Sequence, residues 1–189
     1  MKRRRSTVPK VFGIGFHKTG TKSLANALRE LDYRVTGPDG VNDPRIARTH
    51  LRMCRRLAEQ FDAFQDNPWP LVYREMDRRY PQSKFILTVR DTEEWWRSVV
   101  GHFGAVSTPM REWIYGYGSP IGHQQRYVAR YEQHNREVLE YFEDRPQDLL
   151  VLRITDGEGW ERLAPFLGVS APSTEFPHAN AADGRSSRP

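Results

Sequence analysis

The sequence predicts an α/β fold: one domain built on a parallel sheet of about four to five strands, with helices on both faces. Three observations predict it. Short apolar runs alternate four times with segments of helical periodicity, the pattern of strands joined by crossover helices. Residues 84–89, KFILTV, are continuously apolar and β-branched, as a strand covered on both faces must be. The chain's 189 residues suffice for one such domain with a real core and are too few for two ordinary ones.

The elements follow in order. Residues 1–9 form a basic tail ended by Pro9, and the domain spans 10–178. Val11, Phe12 and Ile14 make the first strand; Leu24, Ala25, Ala27, Leu28 and Leu31 recur at helical spacing and close near Tyr33. Residues 34–43, RVTGPDGVND, read as a loop. Asp43 and Pro44 then open a helix to about Gln60, one face apolar and the other carrying Arg45, Arg48, Arg52, Arg55 and Arg56. That basic stripe fits a solvated face or an acidic substrate. Residues 61–65 are a short strand ending at Asp66-Asn67-Pro68, and a helix runs from Leu71 to Tyr80. After strand 84–89, Thr92 is expected to cap a helix from Glu93 to about Phe103. Residues 104–121 form a long loop or an irregular helical lid, with Trp113, Tyr115 and Tyr117 in it. A helix from His123 to Phe142, a strand at 148–154 and a short helix at 159–168 complete the domain. Phe176-Pro177-His178 packs, and 179–189 is a flexible tail.

Composition narrows the function classes. A hydrophobic content of 38% with 12% aromatic residues excludes overall disorder. One cysteine, Cys54, excludes an intrachain disulfide and any multi-cysteine metal site. No apolar run reaches membrane-spanning length and the N-terminus lacks a signal-peptide core, so a soluble, cytoplasmic protein is expected, with no membrane partner. The net charge of +5 favours anionic partners without choosing among them.

Chemistry concentrates in residues 15–23, GFHKTGTKS. A glycine-containing turn opening a helix points backbone N–H groups into one concavity, which suits a phosphate. Lys18 and Lys22 add full charges, while Thr19, Thr21 and Ser23 add hydroxyls around Gly20. The ATP-binding pattern G-x-x-x-x-G-K-[ST] fits only in part: Gly15 and Gly20 are correctly separated, but Thr21 stands where Lys belongs. A strand–helix junction with chance polar residues is the plain alternative. Two other groups, Asp66 and Arg90-Asp91, also follow strands, so three suspicious segments converge on the edge where α/β sheets bind ligands.

The core Lys18-Thr19-Gly20-Thr21-Lys22 matches the 5′-phosphosulfate loop K-[ST]-G-T-[TSK] of sulfotransferases. The stretch FILTVRDTEEWWRS supplies Arg90 and, 98 − 90 = 8 positions later, Ser98, the spacing with which that family holds its donor's 3′-phosphate. With Asp66-Asn67-Pro68 and GWERLAPFLGVSAP as supporting blocks, the chain resembles the P-loop sulfotransferase superfamily over about residues 10–178. The resemblance implies a P-loop-like domain that moves a sulfuryl group from 3′-phosphoadenosine 5′-phosphosulfate to a hydroxyl or amine of a small-molecule or glycan acceptor. It implies no metal. Lys18 would stabilise the leaving phosphate, and the loop from Thr19 to Ser23 would hold the 5′-phosphate. Arg90 and Ser98 would hold the 3′-phosphate, and Asp66 is the first candidate for the general base. His17, His50, His102 and His123 are others.

Two family features are missing: a Trp after the loop, where this chain has Ser23, and a C-terminal R-K-G segment, for which Arg126, Arg130 or Arg153 could substitute. The rival readings are an ATP–magnesium kinase, a nucleic-acid-binding module and an inactive nucleotide sensor. The displaced Lys and the Arg90/Ser98 pair oppose the first. Scattered basic residues without a nucleic-acid motif oppose the second, and the intact Lys18 opposes the third. The acceptor and the oligomeric state are not legible.

Overall fold

The computed structural model describes residues 9–179; the basic run at 2–5 and nearly all of both expected tails lie outside them. The described chain runs β1 (Val11–Gly13), α1 (Thr21–Glu30), β2 (Val35–Thr36), α2 (Ile46–Ala58), β3 (Ala63–Phe64), α3 (Trp69–Arg79) and β4 (Lys84–Thr88). It continues through α4 (Thr92–Phe103), α5 (Pro109–Tyr115), α6 (Gln124–Tyr141), β5 (Leu149–Leu152) and α7 (Trp160–Leu167). The five strands form one parallel sheet in the order β2-β3-β1-β4-β5. The expected α/β architecture is therefore the observed one.

Pleating decides which side chains go to which face. Phe12, Phe64 and Phe85 are in register across β3, β1 and β4. Their rings stack at 4.7 Å and 5.4 Å on the face covered by α2, α3 and α6. Val11, Ala63 and Ile86 point the other way, under α1 and α7. Burying each aromatic contributes about 2–3 kcal/mol. A third apolar cluster lies at the ends of α4, α5 and α6, where Trp95 stacks on Tyr131 at 4.2 Å and Tyr115 on Tyr127 at 3.9 Å. It walls the carboxyl edge of the sheet.

Three local expectations change. Residues 35–36, read as loop, form edge strand β2 beside β3; two residues are too few to leave a periodic signal. The helix after β4 is capped by Asp91, not Thr92: the Asp91 carboxylate accepts from the N–H groups of Glu93 and Glu94, both at 3.0 Å. The segment expected as a loop or an irregular helical lid contains a regular helix, α5, started by Thr108 and Pro109, with Met110, Ile114 and Tyr115 buried. The basic face of α2 is largely solvated, with Arg55 paired to Glu75 at 2.6 Å. No helix among the described residues is long and apolar enough to cross a membrane.

Candidate active site

A cavity of about 320 Å³ opens at the carboxyl edge of β1 and β3. The β1–α1 loop supplies His17, Lys18 and Gly20, the first turn of α1 supplies Thr21 and Lys22, and the segment after β3 supplies Gln65, Asp66 and Asn67. Helices α4 and α5 close it with His102, Phe103, Thr108, Met110 and Arg111.

The loop is held by its own sequence. Gly15 lies so close to Thr88 at the end of β4 that a Cβ would collide with it. Thr19 Oγ1 donates to the Phe16 carbonyl at 2.6 Å, and so accepts from Thr88 Oγ1, also at 2.6 Å. Gly20 ends the turn at φ 96°, left-handed, with the Ile154 side chain where a Cβ would go. Lys18 is itself left-handed at φ 67°, as is Asp66 at φ 61°. Such backbone is costly for non-glycine residues and concentrates at functional sites. Both candidates for the chemistry carry it.

The hydroxyls face in different directions. That of Thr19 is turned into the fold. Thr21 donates to Asp66 Oδ2 at 2.9 Å. Ser23, 5% exposed, accepts from the Ala179 N–H at 3.1 Å, so the segment after Phe176 lies against the start of α1. Lys22 is exposed at the cavity rim.

Electrostatics divide the site into a positive and a negative side. Burial, and then the charge of Arg90, hold the Lys18 pKa below the usual lysine value; Asp66 pulls it back only in part. Asp66 accepts from the Asn67 N–H at 2.7 Å as well as from Thr21, yet burial outweighs these bonds and raises its pKa. Arg90, which follows β4, acts on Lys18 through its charge. Its backbone is fixed at both ends by the Tyr131 hydroxyl, which accepts from the Arg90 N–H at 2.9 Å and donates to its carbonyl at 2.8 Å. Its side chain contacts Glu94 at 3.3 Å. Ser98 is half-buried on α4. Neither Arg90 nor Ser98 lines the cavity itself, so the structure gathers Lys18, Gly20, Thr21, Lys22 and Asp66 in one chamber and keeps Arg90 and Ser98 beside it.

The histidines separate clearly. His17 is buried between Trp95 and Phe103, its Nδ1 2.9 Å from Asn67 Nδ2 and its Nε2 3.2 Å from the Tyr115 hydroxyl. Burial first, then Arg111, Lys18 and His102, push its pKa down to about 3. It is a neutral, fully engaged ring that orders the loop. His102 is exposed and lines the cavity, and burial, Lys18 and Arg111 lower its pKa. His50 packs against Trp113 and His123 against Tyr117, outside the cavity wall. Sequence reasoning missed Arg111, Thr108 and the Asn67–His17–Tyr115 network. The Thr108-Pro109 start could have found α5; nothing in the sequence marks Arg111 as buried. Among the described residues no three His, Cys, Asp or Glu side chains are grouped to hold a metal ion.

Residues 10–184 match the family model described as Sulfotransferase domain. The chain is 24% identical to the Ava biosynthesis cluster protein M of Aspergillus versicolor over 218 aligned residues, covering 93% of this chain and 82% of that protein. It is similar in fold to a crystal structure of a sulfotransferase from Alicyclobacillus acidocaldarius, with a TM-score of 0.55 and 18% identity over 89% of this chain and 86% of that one.

Proposed function

The chain belongs to the sulfotransferase domain family, and from that premise we propose that it moves a sulfuryl group from 3′-phosphoadenosine 5′-phosphosulfate to a hydroxyl or amine of a small-molecule or glycan acceptor. One observation carries the reading: Lys18, Asp66 and Arg90 follow the carboxyl ends of three adjacent strands, and the charges of Arg90 and Asp66 both bear on Lys18. The cradle suits a nucleotide carrying two phosphates. The N-terminus of α1 with Lys18 and Lys22 offers positive charge for the 5′ end, and Arg90 with Ser98 offers a separate site for the 3′-phosphate.

In the transfer, the acceptor's oxygen or nitrogen bonds to sulfur as the bond from sulfur to the bridging phosphate oxygen breaks. Adenosine 3′,5′-bisphosphate leaves. Lys18 donates to that bridging oxygen as charge develops there, a contribution worth about 10²–10³ in rate for one such donor. Asp66 takes the acceptor's proton. Its raised pKa makes it a stronger base than a solvated carboxylate, and the Thr21 and Asn67 bonds aim it. His102 is the second candidate for this role, because it lines the same cavity and its lowered pKa leaves it neutral.

Calorimetric titration tests the reading, with adenosine 3′,5′-bisphosphate and magnesium ATP as parallel ligands and Arg90→Ala as control. Micromolar binding of the bisphosphate that ATP does not match, and that the variant loses, is the expected result. Preference for magnesium ATP would move the chain to the kinases.

A further inference from the structure

Arg111 is 4% exposed, yet no carboxylate lies within 4 Å of it among the described residues. Its Nε donates to the Gly118 carbonyl at 2.8 Å and one Nη to that of Val106, while the guanidinium lies over the Phe103 ring at 4.2 Å. Carbonyls and a ring face orient a guanidinium without neutralising it, and a buried charge without a counter-ion is costly. The cavity it lines holds Lys18, Lys22 and Arg111 against the single carboxylate Asp66. Lys18 and Lys22 stand on the loop read above as the donor's. Arg111 stands on α5, whose only hydrogen bond to that loop among the described residues is from Tyr115 to the buried His17 ring.

The surroundings complete the pattern. Val41, Phe103 and Met110 give the α5 side an apolar surface. At the β3 side, Gln65 and Asn67, 4% and 3% exposed, carry amide oxygens without a protein partner. The chamber is thus polarised, with the Asp66 carboxylate on the β3 side and an uncompensated cation on α5.

Resting on the sulfotransferase reading, we propose that the acceptor is an anionic molecule, whose carboxylate or sulfate or phosphate ester is seated on Arg111 while its hydroxyl or amine faces Asp66. Arg111 is then a specificity residue for the acceptor, distinct from the cations that hold the donor.

The test uses the full chain saturated with adenosine 3′,5′-bisphosphate. Matched neutral and anionic probes are titrated by calorimetry: 4-hydroxybenzamide against 4-hydroxybenzoate, glucose against glucuronate, and phenol against phenyl phosphate and phenyl sulfate. At least one anion is expected to bind about tenfold more tightly than its neutral partner. The gap should shrink below about threefold in Arg111→Gln, with Arg111→Lys intermediate, and the bisphosphate affinity of both variants should stay within about twofold. The probe bearing the winning anion tells carboxylate from ester. The preference in the unaltered chain needs no variant to fold, and thermal unfolding of both variants checks that they do. Equal binding of neutral and anionic members in every pair, or no binding by any probe, overturns the proposal. A parallel loss of bisphosphate affinity in Arg111→Gln would instead make Arg111 a donor residue. Absence of bisphosphate binding in the unaltered chain would sink the underlying sulfotransferase reading, a separate outcome.

Discussion

Thr21 donates its hydroxyl proton to Asp66 Oδ2 at 2.9 Å, joining the first turn of α1 to the end of β3. One hydrogen bond therefore ties the loop read as the donor's to the group read as the base. Asp66 is held in place by the same loop whose lysine it faces.

Replacing Asp66 by Asn should separate activity from stability. Asn tolerates the left-handed backbone and can still accept the Asn67 N–H. Transfer is expected to fall about 10²–10⁴-fold if Asp66 is the base. Stability should rise at neutral pH. The folded Asp66 pKa lies above the unfolded value of 3.8, so the folded chain binds more protons and loses stability as pH rises through that window. Urea midpoints at pH 7 and transfer rates measure both effects. A fully active Asp66→Asn beside an inactive His102→Gln would assign the base to His102.

Sequence and structure agree best where chemistry is local. Residues 18–22 and 84–89 carry their signals in consecutive letters, so the turn after β1 and strand β4 are legible there. Hydroxyl direction is not. Thr19, Thr21 and Ser23 read alike as phosphate donors, but tertiary partners turn them to Thr88, Asp66 and Ala179. Arg111 is enclosed by the irregular chain on either side of α5, where Phe103, Val106 and Gly118 fold back over it, and no periodicity announces such a closure. Strand β2 is set by pairing with β3 rather than by its own two residues.

Lys18→Ala should lower the transfer rate about 10²–10³-fold. Its effect on affinity for the intact sulfated donor is expected to be much smaller, because the charge it neutralises develops as the bond breaks and is present in full only on the departing bisphosphate. Comparing kcat with the Kd of the intact sulfated donor distinguishes this from simple loss of a binding cation. Equal losses in the two would make Lys18 a ground-state contact only.

Glu94 restrains Arg90 through an exposed i,i+4 pair at 3.3 Å. Such pairs contribute about 0.3–0.5 kcal/mol, so Glu94→Gln should tighten bisphosphate binding by about twofold. Arg90→Ala should weaken it by tenfold or more, about 1.4 kcal/mol, as expected for a charge-assisted phosphate contact. Tightening that fails to appear, with Arg90→Ala also silent, would remove Arg90 from the donor site.

Acid should loosen the fold through its buried imidazoles. His134 donates from Nε2 to the Ile14 carbonyl at 2.7 Å, and burial pushes its pKa down to about 4, as burial pushes that of His17 to about 3. Both lie below the ordinary 6.5 of an unfolded His, so the unfolded chain takes up protons that the folded chain refuses. Their stabilisation is complete above pH 6.5 and is lost as pH falls toward 4, a few kcal/mol in all. Asp66 opposes this only from the region of its own raised pKa downward. Urea midpoints are therefore expected to be level from pH 8 to 7 and to drop steeply between 6 and 4, less steeply in His17→Gln. A midpoint unchanged down to pH 5 would mean that the two rings open to solvent before the fold does. Because the His17 pKa is pushed down to about 3, a break in the transfer rate between pH 5 and 7 does not come from that ring, and comparison of the Asp66 and His102 variants then decides the base.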